Sequence, residues 1–412
     1  MSSTILPAIV STASGPAAVT ITQTLGHLGI PVHALSNMKH AAAFYSRYTV
    51  ARHRTPIGVG GSDLRNNVEE PEALLDYLEQ HVERGVLFPG SDSNIRFLAR
   101  HRQRLLDAGF RMCIPEESVL HKALNKSDVS VACRQHGFPI PQTIVVESRD
   151  DLAEVRRELR FPIVLKAVYK KNHRLVRSAA DLTAEYDAFL ARFRGKTERH
   201  QAVAQEWIPG GPESFAKLYV MCDLEGRVVA THQLRRLRVQ TRRNGSQGDT
   251  LIARTEHIPE LVEQWLPFFK AIGWVGMASL ECKYDERDGL YKLIEINPRP
   301  WAILKVSVDA GVNIPLLYYK LAQGEAVEPL REFQDDRYYI RLVWGNLDLP
   351  EPVVSASMLW FGHIGLREVL QVYRELALNA RRLSVDVGRL RDPLPTLAAL
   401  YFQGVHNFRD WF

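Results

Sequence analysis

Residues 280–299 read LECKYDERDGLYKLIEINPR. Two glutamates, Glu281 and Glu295, and the amide Asn297 fall in short apolar runs either side of a turn cluster at 285–289. That is the pattern of a β-hairpin. Arg299 follows between Pro298 and Pro300. Strict alternation puts Glu295 and Asn297 on the face of Leu293, opposite Lys292, Ile294 and Ile296. A carboxylate among Leu and Ile is expensive to bury without a positive partner. Two carboxylates and an amide oxygen from neighbouring strands make a hard-oxygen set, which together with phosphate oxygens suits Mg²⁺. The competing reading is a surface hairpin whose glutamates and Lys283 face water. The junction INPRP weighs against it, because Asn297 and Arg299 have little reason to decorate solvent there.

Further candidates lie upstream. Lys166, inside the apolar strand FPIVLKAV, is either water-facing or aimed at an anion, and Lys126 in ALNKSD is unremarkable alone. QEWIPGGPES delivers Glu206, Trp207 and Ile208 into a Pro-Gly-Gly turn whose exposed backbone suits the edge of a purine in an apolar slot. Glu213 follows at a distance suited to ribose hydroxyls. The run LRRLRVQTRRNGSQGD (234–249) holds five arginines. Read as a basic patch it points to nucleic acid, but no aromatic residues are interleaved for base stacking. Arg236 or Arg238 on the strand is better placed to meet a phosphate or a substrate carboxylate, and NGSQG fits a substrate flap.

The elements that must position these residues fall into three stretches. With 412 residues, 46% of them hydrophobic, the chain is too long for one core, so two or three globular domains are expected. Over the first 120 residues strands (ILPAIVST, IPVHALS, GVLFPGSD) alternate with helical segments, a βαβ rhythm that predicts a small parallel sheet. Such sheets bind ligands beyond the carboxyl ends of their strands. Asp92 stands at one such end, as a binding residue or as a helix cap in Ser91–Asn94. GVGGS (58–62) lacks the spacing of a phosphate loop and reads as a connection. Residues 121–328 mix helices with antiparallel strands, an α+β pattern. Beyond 329 come aromatic strands, a basic amphipathic helix near GLREVLQVYRELALNARRL, and a native-looking LYFQG.

Net charge is only +5 and spread along the chain, which fits a site for an anionic ligand as well as it fits nucleic acid. Cys113, Cys133, Cys222 and Cys282 lie far apart with no C-x-x-C pair, as expected for reduced, buried thiols. The N-terminus lacks a basic n-region, and no apolar run reaches the ~18 residues needed to span a bilayer. A cytoplasmic protein is therefore expected. Apolar and aromatic stretches in the tail fit a homodimer.

The combination NKSD, PIVLKA, QEWIPGG, LECKYD–DG–LIEINPR and DAGVNIP resembles the ATP-grasp ligases, closest to carboxylate–amine ligases such as D-aspartate and dipeptide ligases. The resemblance runs over roughly residues 1–325 and is most specific over 121–325. It implies an N-terminal Rossmann-like (pre-ATP-grasp) parallel sheet (1–120), a two-subdomain ATP-grasp fold (121–328, with a lid at 121–208 and a central part at 209–328), and a C-terminal extension (329–412). It also implies roles. Lys126 and Lys166 hold ATP phosphates. Glu206, Trp207 and Ile208 form the adenine linker, the backbone of the latter two doing most of the reading, and Glu213 is the ribose ligand. Glu281, Glu295 and Asn297 are the Mg²⁺ ligands (Mn²⁺ being an alternative), and Arg299 steadies the acyl phosphate.

One departure stands out. Where many members carry a Gly-rich loop, this chain has YKKNHRLVR (169–177). Lys170, Lys171, His173 and Arg174 either close over the triphosphate or form a solvated basic loop. Trp301 either lines the acyl pocket or packs in the core. The implied activity is ATP-dependent joining of a carboxylate, on amino-acid substrates, to an amine through an acyl phosphate. Ammonia or bicarbonate as second substrate, or a non-catalytic nucleotide-binding regulator, are the alternatives.

Overall fold

The computed structural model describes residues 5–56, 71–167, 173–191, 202–241, 247–341, 366–385 and 391–399. Strands β1 (Ala8–Val10), β2 (Val32–Ser36), β3 (Thr49–Arg54) and β4 (Val86–Phe88) make an all-parallel sheet in the order β3-β2-β1-β4. The expected three strands are there. The fourth, β3, is a polar edge strand (TVARHR) of alternating half-buried and exposed residues, whose weak apolar signal hides it in the sequence. Ser91 caps the following helix (Asp92–Arg100), its hydroxyl accepting from the Asn94 N–H at 3.1 Å. Asp92 is therefore not the cap and is left to other work.

The second sheet is small and antiparallel: β5 (Thr143–Val146), β6 (Ile163–Ala167), β7 (His173–Val176) and β8 (Ala202–Glu206), in the order β5-β8-β6-β7. Its inner face packs on the helices Leu152–Glu158 and Leu182–Ala191 around Val146, Leu165, Tyr186 and Phe189. The helical stretch before it is broken at Asn125. The Asn125 side chain accepts from the N–H groups of Ser127 (2.9 Å) and Asp128 (3.4 Å), so a fresh helix, Lys126–Gln135, starts with Lys126 in its first turn. Gly137, at φ +72°, closes that helix in a conformation only glycine adopts without cost.

The third sheet has seven strands: β9 (Phe215–Cys222), β10 (Val228–Thr241), β11 (Gln247–Thr255), β12 (Gly276–Asp285), β13 (Leu290–Asn297), β14 (Tyr338–Ile340) and β15 (Leu383–Val385), in the order β13-β12-β9-β10-β11-β14-β15. The tail strands β14 and β15 thus continue this sheet, and the expected amphipathic helix forms at Leu366–Leu378. One face of the sheet packs on the helix Pro259–Ala271 through Trp265, Phe268 and Phe269. The other joins the N-terminal sheet through Tyr219, Met221, Val10 and Phe88 in one continuous core. At Gly276 a Cβ would sit 2.1 Å from the Cys113 carbonyl oxygen, so glycine is what allows this close approach. All four cysteines are buried and unbridged, as expected. No helix among the described residues is long and apolar enough to cross a membrane.

Candidate functional site

The hairpin β12–β13 forms as the sequence predicts, and its register places Glu281 directly opposite Glu295, with Ser279 opposite Asn297. The expected alternation is corrected by a bulge. Glu281 pairs with Glu295 but Cys282 pairs with Leu293, so Ile294 is an extra residue on its strand. The bulge lets Leu293 and Ile296 both enter the core while Glu295 and Asn297 stay half-buried on the other face. Leu293 therefore does not share a face with the two polar residues.

Like charges directly opposite on a sheet repel, and the neighbouring strands supply the offset. The Glu281 carboxylate lies 3.2 Å from Lys217 Nζ on β9 and accepts at 3.0 Å from the Arg236 guanidinium on β10. Arg236 also donates to the Thr250 hydroxyl at 2.8 Å and stacks over the Phe215 ring at 4.9 Å. Of the arginines in the run, Arg236 reaches Glu281. Arg238, equally buried, sits opposite Ile252, and Arg235 pairs with Glu256 at 2.7 Å. Lys217, in FAKLYVMC, is absent from the expected set, although a lysine inside an apolar strand is the same signal that picks out Lys166.

A cleft beside this row is walled by Lys126, Lys166, Gln205, Thr143, Glu295 and Asp92. It brings together the two lysines, one glutamate and a residue that follows the last strand of the N-terminal sheet. Lys166 Nζ donates to Gln205 Oε1 at 2.5 Å, and the Gln205 amide donates to the Thr143 hydroxyl at 2.9 Å, fixing the lysine's direction. Burial, then the charge of Lys126, lowers the Lys166 ammonium to about 8, with Glu295 and Glu281 acting against the shift. Arg299 donates to Asp92 Oδ1 at 2.8 Å and more loosely to Asn297 Oδ1 at 3.3 Å.

The linker is held more firmly than the sequence suggests. Lys283, read as compatible with an exposed strand face, is only 2% exposed. Its ammonium donates to the carbonyls of Ile208 (2.8 Å) and Gly210 (2.9 Å) and lies 4.7 Å from both the Trp207 and Phe215 rings. The Trp207 N–H is taken by the Pro162 carbonyl at 3.0 Å. The Ile208 carbonyl and the Trp207 N–H are thus already engaged, so backbone reading by these residues falls to their other groups. The Glu206 carboxylate accepts from the Arg160 N–H at 3.1 Å and faces Arg287 at 3.6 Å, while Glu213 is exposed. Replacing Lys283 with Met leaves two carbonyls without their donor. A loss of about 2 kcal/mol is expected, read as a lower denaturation midpoint, and an unshifted midpoint would show the latch to be idle.

Two other expectations resolve. Trp301 is core: it is 4% exposed, stacked on Tyr219 at 3.9 Å, with its indole N–H donated to Ser307. Arg174 is paired with Glu185 on the adjoining helix and is not a loop cation open to a ligand. Lys170 and Lys171, the GVGGS stretch, the arginines at 242 and 243 and the LYFQG segment lie outside the described residues.

The chain is similar in sequence and in fold to several known proteins. Residues 215–344 match the family model described as "ATP-grasp in the biosynthetic pathway with Ter operon". The chain contains an ATP-grasp domain. Over 230 residues it is 25% identical to the D-aspartate ligase of Enterococcus faecium (strain Aus0004), covering 52% of this chain and 53% of the relative. It is 22% identical over 292 residues to the carbamoyl phosphate synthase large chain of Deinococcus radiodurans, covering 69% of this chain and 26% of that one. The chain therefore spans about half the length of the first relative and less of the other. The same fold occurs in the biotin carboxylase domain of Hydrogenobacter thermophilus 2-oxoglutarate carboxylase, crystallised with MgADP and bicarbonate (TM-score 0.64, 18% identity, 81% and 73% of the two chains). It occurs too in the L-amino acid ligase of Bacillus licheniformis (TM-score 0.59, 17% identity, 77% and 75%). The parallel N-terminal sheet and the large mixed sheet are those of the ATP-grasp architecture.

Proposed function

We propose that this chain is an ATP-dependent ligase that joins a carboxylate to an amine through an acyl phosphate. The observation that carries the reading is the opposed pair Glu281–Glu295 beside a cleft lined by Lys126, Lys166 and Asp92, the last of these paired with Arg299. The relatives named above, a D-aspartate ligase and a carbamoyl phosphate synthase, support the reaction class.

The residues fit a divalent cation. Glu281, Glu295 and Asn297 offer hard oxygen donors from two adjoining strands, and directly opposed carboxylates are tolerable where positive charge stands between or beside them. Bound there, Mg²⁺ would neutralise phosphate charge and orient a triphosphate. The chain's own groups do the remaining work. Lys126 and Lys166 bind phosphate oxygens, with Gln205 aiming Lys166. The linker at 206–210, latched by Lys283, presents an edge for adenine, and Glu213 is free at the surface to meet ribose.

In the first step a carboxylate oxygen attacks the γ-phosphorus of ATP, the bond to the β–γ bridging oxygen breaks, and ADP leaves. In the second the amine nitrogen attacks the acyl carbon. Phosphate departs with the electron pair of the C–O bond, and the surplus proton on nitrogen passes to solvent. Phosphoryl transfer needs placement and charge neutralisation more than covalent help from the protein. A nucleophilic Ser or Cys is accordingly not required. Arg299, paired with the cleft residue Asp92 and in contact with Asn297, is the cation assigned to the oxyanion of the tetrahedral intermediate.

ADP release measured over paired amino acids, ammonium and bicarbonate, with magnesium present, tests the reading. Release that requires both a carboxylate and an amine is expected. Mg-ATP binding with no turnover across the whole panel would instead assign a nucleotide-binding regulator.

A further inference from the structure

Asp92 is the one residue lining the cleft that comes from the first 120 residues, among the described residues. It follows β4, whose neighbour in the sheet is β1, so it lies beyond the carboxyl ends of the two strands flanking the point where the strand order turns back. Parallel sheets hold their ligands at such a point. Capping does not explain the residue, because Ser91 performs it. Its carboxylate lines the same cleft as Lys126, Lys166 and Glu295. Only its Oδ1 is engaged among the described residues, accepting from Arg299 Nε, and the pair retains roughly a fifth of its exposure on each side.

A carboxylate at this place opposes binding of a ligand that carries negative charge alone, since it weakens the field of Arg299. What it favours is a positive charge. An ammonium group can use the second carboxylate oxygen without displacing Arg299, since an ionised Asp offers two oxygens with several lone pairs. The side-by-side arrangement of an acidic and a basic group also matches a zwitterion, whose ammonium meets Asp92 and whose carboxylate meets Arg299.

We infer that Asp92 is the recognition group for the acceptor, and that the acceptor is an ammonium-bearing molecule of the amino-acid class in preference to the bicarbonate anion. This rests on the ligase reading above and narrows its second substrate. Asp92 binds the ammonium form by charge; the nitrogen gives up one proton to solvent before it attacks, and Asp92 takes no part in bond making. A residue that merely positioned Arg299 would share the same ion pair, so the experiment must separate the two.

The full-length protein and Asp92→Asn are compared with the twenty proteinogenic amino acids as carboxylate donors and two kinds of acceptor. One is hydroxylamine, uncharged near neutral pH, with the product read as the ferric hydroxamate. The other is the same amino acids as amines, with the product read as ADP release. Losing a charge-assisted contact predicts that the ratio of amine- to hydroxylamine-dependent kcat/KM falls about 30-fold, mainly through the KM of the amine. Asp92→Glu is expected to recover part of that ratio. Equal loss with both acceptors would reduce Asp92 to a positioning residue for Arg299 and overturn the inference. So would stronger stimulation of the unaltered protein by bicarbonate than by any amine. An unaltered protein that forms no hydroxamate with any donor would overturn the ligase reading itself, and the inference with it.

Discussion

Glu295→Gln is expected to lower magnesium-dependent ADP release by about 10³-fold while leaving the fold as stable as before or slightly more so. The reduction follows from removing one of two anionic donors aimed where phosphate charge must be neutralised. The stability follows from the register: Glu295 faces Glu281 directly, and removing one of two opposed like charges relieves repulsion by about 0.2–1 kcal/mol. Glu281→Gln is expected to lose the same activity with the opposite effect on stability. The Arg236 side chain is only 6% exposed and would lose its carboxylate partner, as would Lys217. Stranding a buried cation costs about 3 kcal/mol. Chemical denaturation of the two variants beside a coupled ADP assay checks both signs. A Glu295→Gln enzyme that keeps turning over, or that unfolds as readily as Glu281→Gln, contradicts the assignment.

The second large effect concerns pH. Burial and the neighbouring Lys126 lower Lys166 to about 8 from the usual lysine range. A bound triphosphate surrounds the ammonium with negative charge and raises it again, so binding above pH 8 requires uptake of a proton. Nucleotide affinity is therefore expected to be flat below about pH 7.5 and to fall by up to tenfold per pH unit above 8. The sign for folding is reversed. A depressed lysine costs stability while charged, and that cost fades as pH rises from about 8 towards 10.5. Lys283 is also lowered to about 8, by burial against Trp207 and Phe215, so the two must be told apart. Calorimetric titration of ATP between pH 7 and 9 should lose its slope in Lys166→Met and keep it in Lys283→Met. A slope retained in Lys166→Met would place the phosphates elsewhere.

The sequence announces the parts of this site that depend on local pattern. The β12–β13 hairpin, the helix start at Lys126 and the end of the strand at Glu206 follow from turn residues, a capping asparagine and apolar runs. All are where their residues imply. What escapes is non-local. The bulge at Ile294 breaks the two-residue period without any glycine or proline to announce it, so strict alternation assigns Leu293 to the wrong face. Lys283 looks solvated because its partners, two carbonyls and two rings, come from the segment 207–215, some seventy residues earlier. The choice of Arg236 over its neighbours depends on pairing across β9, β10 and β11, which no property of the run LRRLR encodes. Strand β3 is missed because an edge strand with one wet face carries little apolar signal.

The most direct test of the central claim is a crystal structure with magnesium and a non-hydrolysable ATP analogue. The account predicts a cation coordinated at about 2.1 Å by oxygens of both Glu281 and Glu295, with the terminal phosphates on its far side and Lys166 in contact. A nucleotide bound away from this hairpin, with both carboxylates left to Lys217, Arg236 and water, would contradict it.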